Sequence, residues 1–242
     1  MWDGCLNVRD LGGHPTEDGG VTRAGAVVRA DSVRALTDAG WRALAEYGIG
    51  TIVDLRLHEE LAADPPGALP VRVVHVSLFG SPDPSYWREI DAIGAAAQDE
   101  VGSTRDVYLR LLADNGEHVA AAIRAVADAG DGGVVVHCAA GKDRTGLVTA
   151  LLLRLAGVGH AEIGDDYARS AHSLAGVLDE WIAETEDEDE RARRRRQSAT
   201  PAAAMRGVLE ELERRYDSVE GFLRACGASD GTMSRARARL RD

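Results

Sequence analysis

The 242-residue chain is short of aromatic side chains, which make up 5% of it, while 39 alanines and 27 glycines mean that small residues fill much of its interior. It has three cysteines, Cys5, Cys138 and Cys226. An odd number without repeated spacing excludes a disulfide framework and a zinc knuckle, and fits a reducing cytoplasm. No apolar run approaches the roughly 18 residues that a membrane span needs. The opening Met1-Trp2-Asp3-Gly4 has neither the basic nor the apolar segment of a signal peptide, and no internal repeat is visible. Lysine is almost missing: of 28 basic residues, 27 are arginine and one is Lys142. The arginine bias reads as the codon usage of a GC-rich genome. A net charge of −12 makes nucleic acid and anionic membranes poor partners. What remains, 45% hydrophobic and 28% charged, is ordinary for a soluble globular protein of one domain, residues 1–242.

Apolar patterning predicts an α/β architecture. Val27-Val28-Arg29, Thr51 to Leu55, Val71 to Leu78 and Gly133 to Val136 read as strands, the last a continuous valine run suited to a sheet centre. A helix is expected from Thr37 to Tyr47, capped by Thr37 and stopped by Gly48. Two more are expected at about 103–113 and 116–129. From Thr145 onward the chain reads as helical: Leu147, Leu151 and Leu155 share a face, and Gly157 is a stop. Thr200-Pro201 looks like a cap followed by a first-position proline, and Met205, Val208, Leu209, Leu212 and Tyr216 then follow helical spacing. The expectation is a mixed sheet flanked by helices, with a helical C-terminal half. Between 184 and 196 an acidic block meets a basic one. It reads either as a solvated, salt-bridged helix or as a mobile element near a site.

The chemistry concentrates in Val134-Val135-Val136-His137-Cys138-Ala139-Ala140-Gly141-Lys142-Asp143-Arg144-Thr145-Gly146. A buried strand enters a loop of small residues that opens directly into a helix. Ala139, Ala140 and Gly141 let consecutive backbone N–H groups converge on one point, an anion nest. The helix aims its positive end at the same point, and Arg144 offers a two-pronged donor to phosphate oxygens. The field that holds a dianion also favours a thiolate at Cys138, a nucleophile in line with a bound phosphorus. Thr145 is placed to donate to the sulfur, and His137 to fix the strand end. A nucleotide-binding P-loop fails here, since Val136 stands where its first glycine belongs and Asp143 follows the lysine. A metal site would want further Cys or His ligands at short spacing, and only His137 is near, so neither metal nor cofactor is implied. The plain alternative is a buried cysteine in an ordinary strand-to-helix turn.

His137-Cys138-x5-Arg144-Thr145-Gly146 resembles the signature of the cysteine-dependent protein-tyrosine phosphatase superfamily. The fuller Cys-Ala-Ala-Gly-Lys-Asp-Arg-Thr-Gly string resembles a bacterial branch of atypical tyrosine/serine and lipid phosphatases. Asn7 to Gly13, Val53-Asp54-Leu55-Arg56 with Glu59 or Glu60, Asp166-Tyr167 and Tyr216-Asp217-Ser218 resemble further motifs of that branch, so the likeness spans nearly the whole chain. Ala139 departs from it, since relatives often carry a larger residue there.

The resemblance implies a phosphomonoester hydrolase acting through a phosphocysteine, on phosphorylated protein or on phospholipid or small-molecule phosphates. An inactive phospho-ligand binding module is the competing class. Many tyrosine phosphatases take their general acid from an upstream loop, but Asp83, Asp91, Asp99, Asp106 and Asp114 lack its Trp-Pro-Asp context. In the bacterial branch the acid lies inside the phosphate loop, which here is Asp143; its other reading is an ion pair with Lys142 or Arg56. Arg56 is either a second phosphate contact or a support. Asn7, Arg9, Asp10 and Asp54 read as groups that buttress the loop from behind. Lys142 stands at the rim, where an outward ammonium favours polyphosphorylated ligands. Relatives cover the site with helical insertions, and residues 172–200 are the corresponding stretch.

Overall fold

In a computed structural model, which describes residues 2–65 and 71–241, five strands form one sheet: β1 (Arg9–Asp10), β2 (Val27–Ala30), β3 (Ile49–Asp54), β4 (Arg72–His75) and β5 (Gly133–His137). Their order is β1-β2-β5-β3-β4. The two-residue β1 runs antiparallel to β2, and the other pairings are parallel. The valine run is central, as its composition predicts, because β5 is covered on both faces. Alternation along the strands divides the core. Val27, Val53, Val134 and Val136 face the larger cluster, whereas Val28, Ile52 and Val135 face a smaller one with Trp2 and Leu44.

Helix α1 (Asp38–Glu46) starts where Thr37 accepts from the Gly40 N–H at 3.2 Å and ends at Gly48, whose φ of +82° needs no Cβ. Then follow α2 (His58–Ala63), α3 (Pro84–Ala96), α4 (Glu100–Asp114), α5 (Gly116–Ala127), α6 (Asp143–Leu155), α7 (His160–Ala183), α8 (Glu188–Ser198), α9 (Ala202–Tyr216), α10 (Val219–Ala225) and α11 (Asp230–Leu240). The α/β class and the helical C-terminal half are as expected. Sequence patterning missed α2 and α3, because α2 is only six residues long and α3 buries just Ile90 and Gly94. At 200–201 the structure departs by one position. Pro201 occupies the cap of α9, and Thr200 is turned back to donate to the Ala168 carbonyl at 3.5 Å. The 172–200 stretch divides into the end of α7 and the whole of α8. No described helix is long and apolar enough to cross a membrane.

Candidate active site

Strand β5 delivers Cys138 to the C-terminal edge of the parallel sheet, and α6 begins five residues later. At this edge an open α/β sheet commonly binds its ligand. The intervening loop is held by its carbonyls. Ala139 O accepts from Ser32 N at 2.8 Å. Ala140 O and Gly141 O accept from Asn7 Nδ2 at 3.0 and 3.1 Å, and Gly141 O also from Arg29 at 2.8 Å. Cys138 O meets His137 Nδ1 at 3.1 Å, and Lys142 O accepts from Gly146 N. With every carbonyl from 138 to 142 engaged, the N–H groups of Ala139, Ala140, Gly141 and Lys142 find no acceptor among the described residues. A run of unpaired N–H groups is what an anion nest requires. Gly141 has φ +65°, and a Cβ there would sit 2.3 Å from Ala30 O, so no other residue fits.

The supports come from distant chain. Arg9 and Arg29 converge on Asp166, at 2.6 and 2.7 Å, and Arg9 donates to Asn7 Oδ1. Burial would raise the Asp166 pKa, but Arg29 and Arg9 outweigh it and hold it down at about 2. Asp31 fixes the N–H groups of Leu6 and Asn7. Asp10 lies further off and caps the Gly12 and Gly25 N–H groups. Asn7 and Arg9 therefore contact the loop or its scaffold, whereas Asp10 shapes the turn that follows β1.

Cys138 is 2% exposed. Arg144, in the first turn of α6, grips Glu60 of α2 with both terminal nitrogens, one at 3.0 Å. This leaves Nε–H and one outer N–H as a second fork. Burial alone would lower the Arg144 pKa; the Cys138 sulfur and Glu60 push it higher. Glu60 is in turn fixed by the Leu57 N–H at 2.6 Å, and Arg144 keeps it below the usual carboxylate range against its burial. Thr145 Oγ1 is buried without a partner among the described residues. His137 is buried, with Nε2 3.7 Å from Asp54. Burial lowers its pKa, so it sits neutral at the strand end.

Arg56 does not reach the cradle with its charge free. It is 3% exposed and clasped by Asp54 at 2.8 Å and by Asp64 at 3.3 Å. Lys142 points inward, not to the rim: Nζ donates to Asp143 and to the Gln197 carbonyl of α8, both at 2.7 Å. Asp143 keeps a half-exposed side chain. Burial would raise its pKa, but Lys142, Tyr108 and Arg144 hold it below the usual carboxylate range. Of the upstream acids, Asp83 and Asp99 cap α3 and α4, while Asp106 and Asp114 pair with Arg105 and Arg110. Asp91 alone among them lines the site, where Arg193 and Gln197 occupy it.

A cavity of about 640 Å³ opens beside Ala140, Lys142, Asp143 and Arg144, with apolar walls that include Leu57, Phe79, Trp87, Ile90 and Trp181. Helix α8 closes one side through Arg193, Arg196 and Gln197. It buries no residue of its own and carries the opposed charge blocks as ion pairs: Arg191 and Arg195 to Glu188, Arg193 and Arg194 to Glu190. It is a salt-bridged helix and it also stands at the site. Sequence reasoning gave no role to Glu60, Tyr108, Arg29 or Gln197, since only the fold brings them to the loop. Glu60 alone had a signal, its position after the Asp54–Arg56 motif.

The chain matches the model of the tyrosine phosphatase family over residues 1–242. It is 32% identical over 237 residues to a tyrosine-protein phosphatase of Nostoc commune, covering 90% of this chain and 74% of that protein. It is also 28% identical over 270 residues to the triple specificity protein phosphatase PtpB of Mycobacterium tuberculosis, covering 97% of this chain and 96% of that protein.

Proposed function

The chain belongs to the tyrosine phosphatase family of phosphomonoester hydrolases, and from that premise we propose that it dephosphorylates phosphotyrosine through a phosphocysteine on Cys138. One observation supports this above the rest: five consecutive loop carbonyls are tied back, so the N–H groups above Cys138 are free to hold a dianion. The Cys138 thiolate attacks phosphorus, and an S–P bond forms as the P–O bond to the leaving group breaks. The nest and the second fork of Arg144 take the equatorial oxygens. Asp143 gives its proton to the leaving oxygen, then takes one from the water that attacks the phosphocysteine, releasing inorganic phosphate and the thiolate. Asp143 is ionised in the empty site, so it gains its proton as the substrate dianion enters, whose charge opposes its own. In the expected outcome, Cys138→Ser lowers aryl phosphate turnover by about three orders of magnitude or more, and wild-type turnover in that variant rejects the reading.

The aromatic walls suit a phenyl ring better than a hydroxylated inositol, and Lys142 is already engaged. A dual-specificity or phosphoinositide phosphatase is the second reading. The triple specificity in the name of the mycobacterial relative supports breadth of substrate, and Arg196, which lines the cavity while its neighbours on α8 are ion-paired, supports a more highly charged one. Kinetics on a phosphotyrosine peptide and a phosphoinositide in one assay decide between them: a higher kcat/KM on the lipid reverses the order. Residues 172–200 are proposed as a cover on the site within a single domain.

A further inference from the structure

Two buried tyrosines stand beside the loop, Tyr108 on the cavity wall and Tyr167 behind it, and none of the steps above uses them. Tyr108 of α4 and Tyr167 of α7 are 3% and 1% exposed. Their rings meet edge to face with centroids 6.0 Å apart. Gly146 makes room for this pair, since a Cβ there would lie 3.1 Å from the Tyr167 ring. The Tyr108 hydroxyl donates to Asp143 Oδ1 at 2.5 Å, and the two hydroxyls are 2.8 Å apart. A phenol has one proton to give. That of Tyr108 is committed to Asp143, so Tyr167 is the donor to Tyr108. Burial pushes both phenols well up, and they stay donors across the working range.

Lys142 Nζ reaches the same Oδ1 at 2.7 Å, whereas Oδ2 has no hydrogen bond among the described residues. One oxygen of the carboxylate is thus saturated with donors, and the other is left to carry a transferable proton. We propose that Tyr108, backed by Tyr167, is a positioning residue for proton transfer: it pins Oδ1 so that Oδ2 faces the leaving oxygen. This rests on the reading of Asp143 as the acid. Other charged groups also act on Asp143. Lys142 and Arg144 do so from its own loop, with Glu60 of α2 behind Arg144. Asp91 of α3, Glu180 and Glu184 of α7, and Arg193 and Arg196 of α8 line the same cavity. The tyrosines differ from all of these in being neutral donors, so their removal changes no charge.

The test compares Tyr108→Phe, Tyr167→Phe and Asp143→Asn on phenyl phosphate and on 2,4-dinitrophenyl phosphate, whose leaving group needs no acid. Tyr108→Phe is expected to cost about tenfold more kcat/KM on phenyl phosphate than on the activated ester. Losing a donor to the ionised form also makes Asp143 a weaker acid, so the alkaline limb of the kcat profile, which reports the complex, moves to higher pH. Tyr167→Phe shifts the limb in the same direction by less, and carries the test if Tyr108→Phe does not fold. Equal losses on both esters, or an unmoved limb while Asp143→Asn abolishes it, overturn the proposal. If Asp143→Asn itself keeps the wild-type limb, the acid is another residue, and the proposal falls with that reading.

Discussion

At the scale of single residues, the loop tolerates almost no change in backbone shape. Gly141 combines a left-handed φ with a close approach to β2, and the Cβ of an alanine there would overlap the Ala30 carbonyl, 2.3 Å from its oxygen. Gly141→Ala is expected to lower kcat/KM by at least about tenfold, with a loss of stability of about 1–3 kcal/mol; full activity in a folded variant contradicts the nest geometry. Lys142, the single lysine of the chain, shows why position matters more than charge. Its ammonium bridges Asp143 and a helix carbonyl from a nearly buried place, a geometry that a guanidinium fork does not reproduce.

Among the elements, α8 is weakly anchored, although it packs against α7, α4 and α3. Without a buried residue, it is held by exposed ion pairs worth about 0–1 kcal/mol each and by polar ties to Asp91 and Lys142. Such an element opens at low free energy. Limited proteolysis is expected to cut first within 184–199, and Asp91→Ala to speed that cut while leaving the melting temperature nearly unchanged; cleavage starting elsewhere argues for a fixed wall. The sequence made β5, the loop and α6 readable, because a valine run, three small residues and an arginine each have a local physical meaning. It also made the charge blocks of α8 readable as ion pairs. A place for α8 beside the loop is only one of two readings and comes through the family resemblance, since the Lys142–Gln197 contact spans 55 residues and leaves no periodic trace. Arg56 was ambiguous for a related reason: Asp54 and Asp64 flank it in sequence, but only the fold shows both turned onto it.

For the whole molecule, the loop is where both halves of the chain meet. Asn7, Arg9, Arg29 and Asp166 form one buried polar network, whose Asp166 is held at a pKa of about 2 by Arg29 and Arg9 against burial. A depressed carboxylate stabilises the fold above its unfolded value of 3.8, and that contribution fades as pH falls from 3.8 toward 2. Asp166→Asn leaves two buried guanidinium groups unpaired, at a cost of about 3–5 kcal/mol near neutral pH. Chemical denaturation at pH 7 and below pH 3 checks this, since the difference between variant and wild type is expected to shrink at the lower pH. The same network has a consequence for synthesis. The loop is complete in sequence by residue 146, yet its clamp Arg29 is neutralised by an aspartate 137 residues further along. A nascent chain that has emerged only through β5 and the loop has made its sulfur but not its catalyst. Hydrolytic competence is therefore expected only once the first turns of α7, which carry Asp166, have also emerged and closed on Arg29.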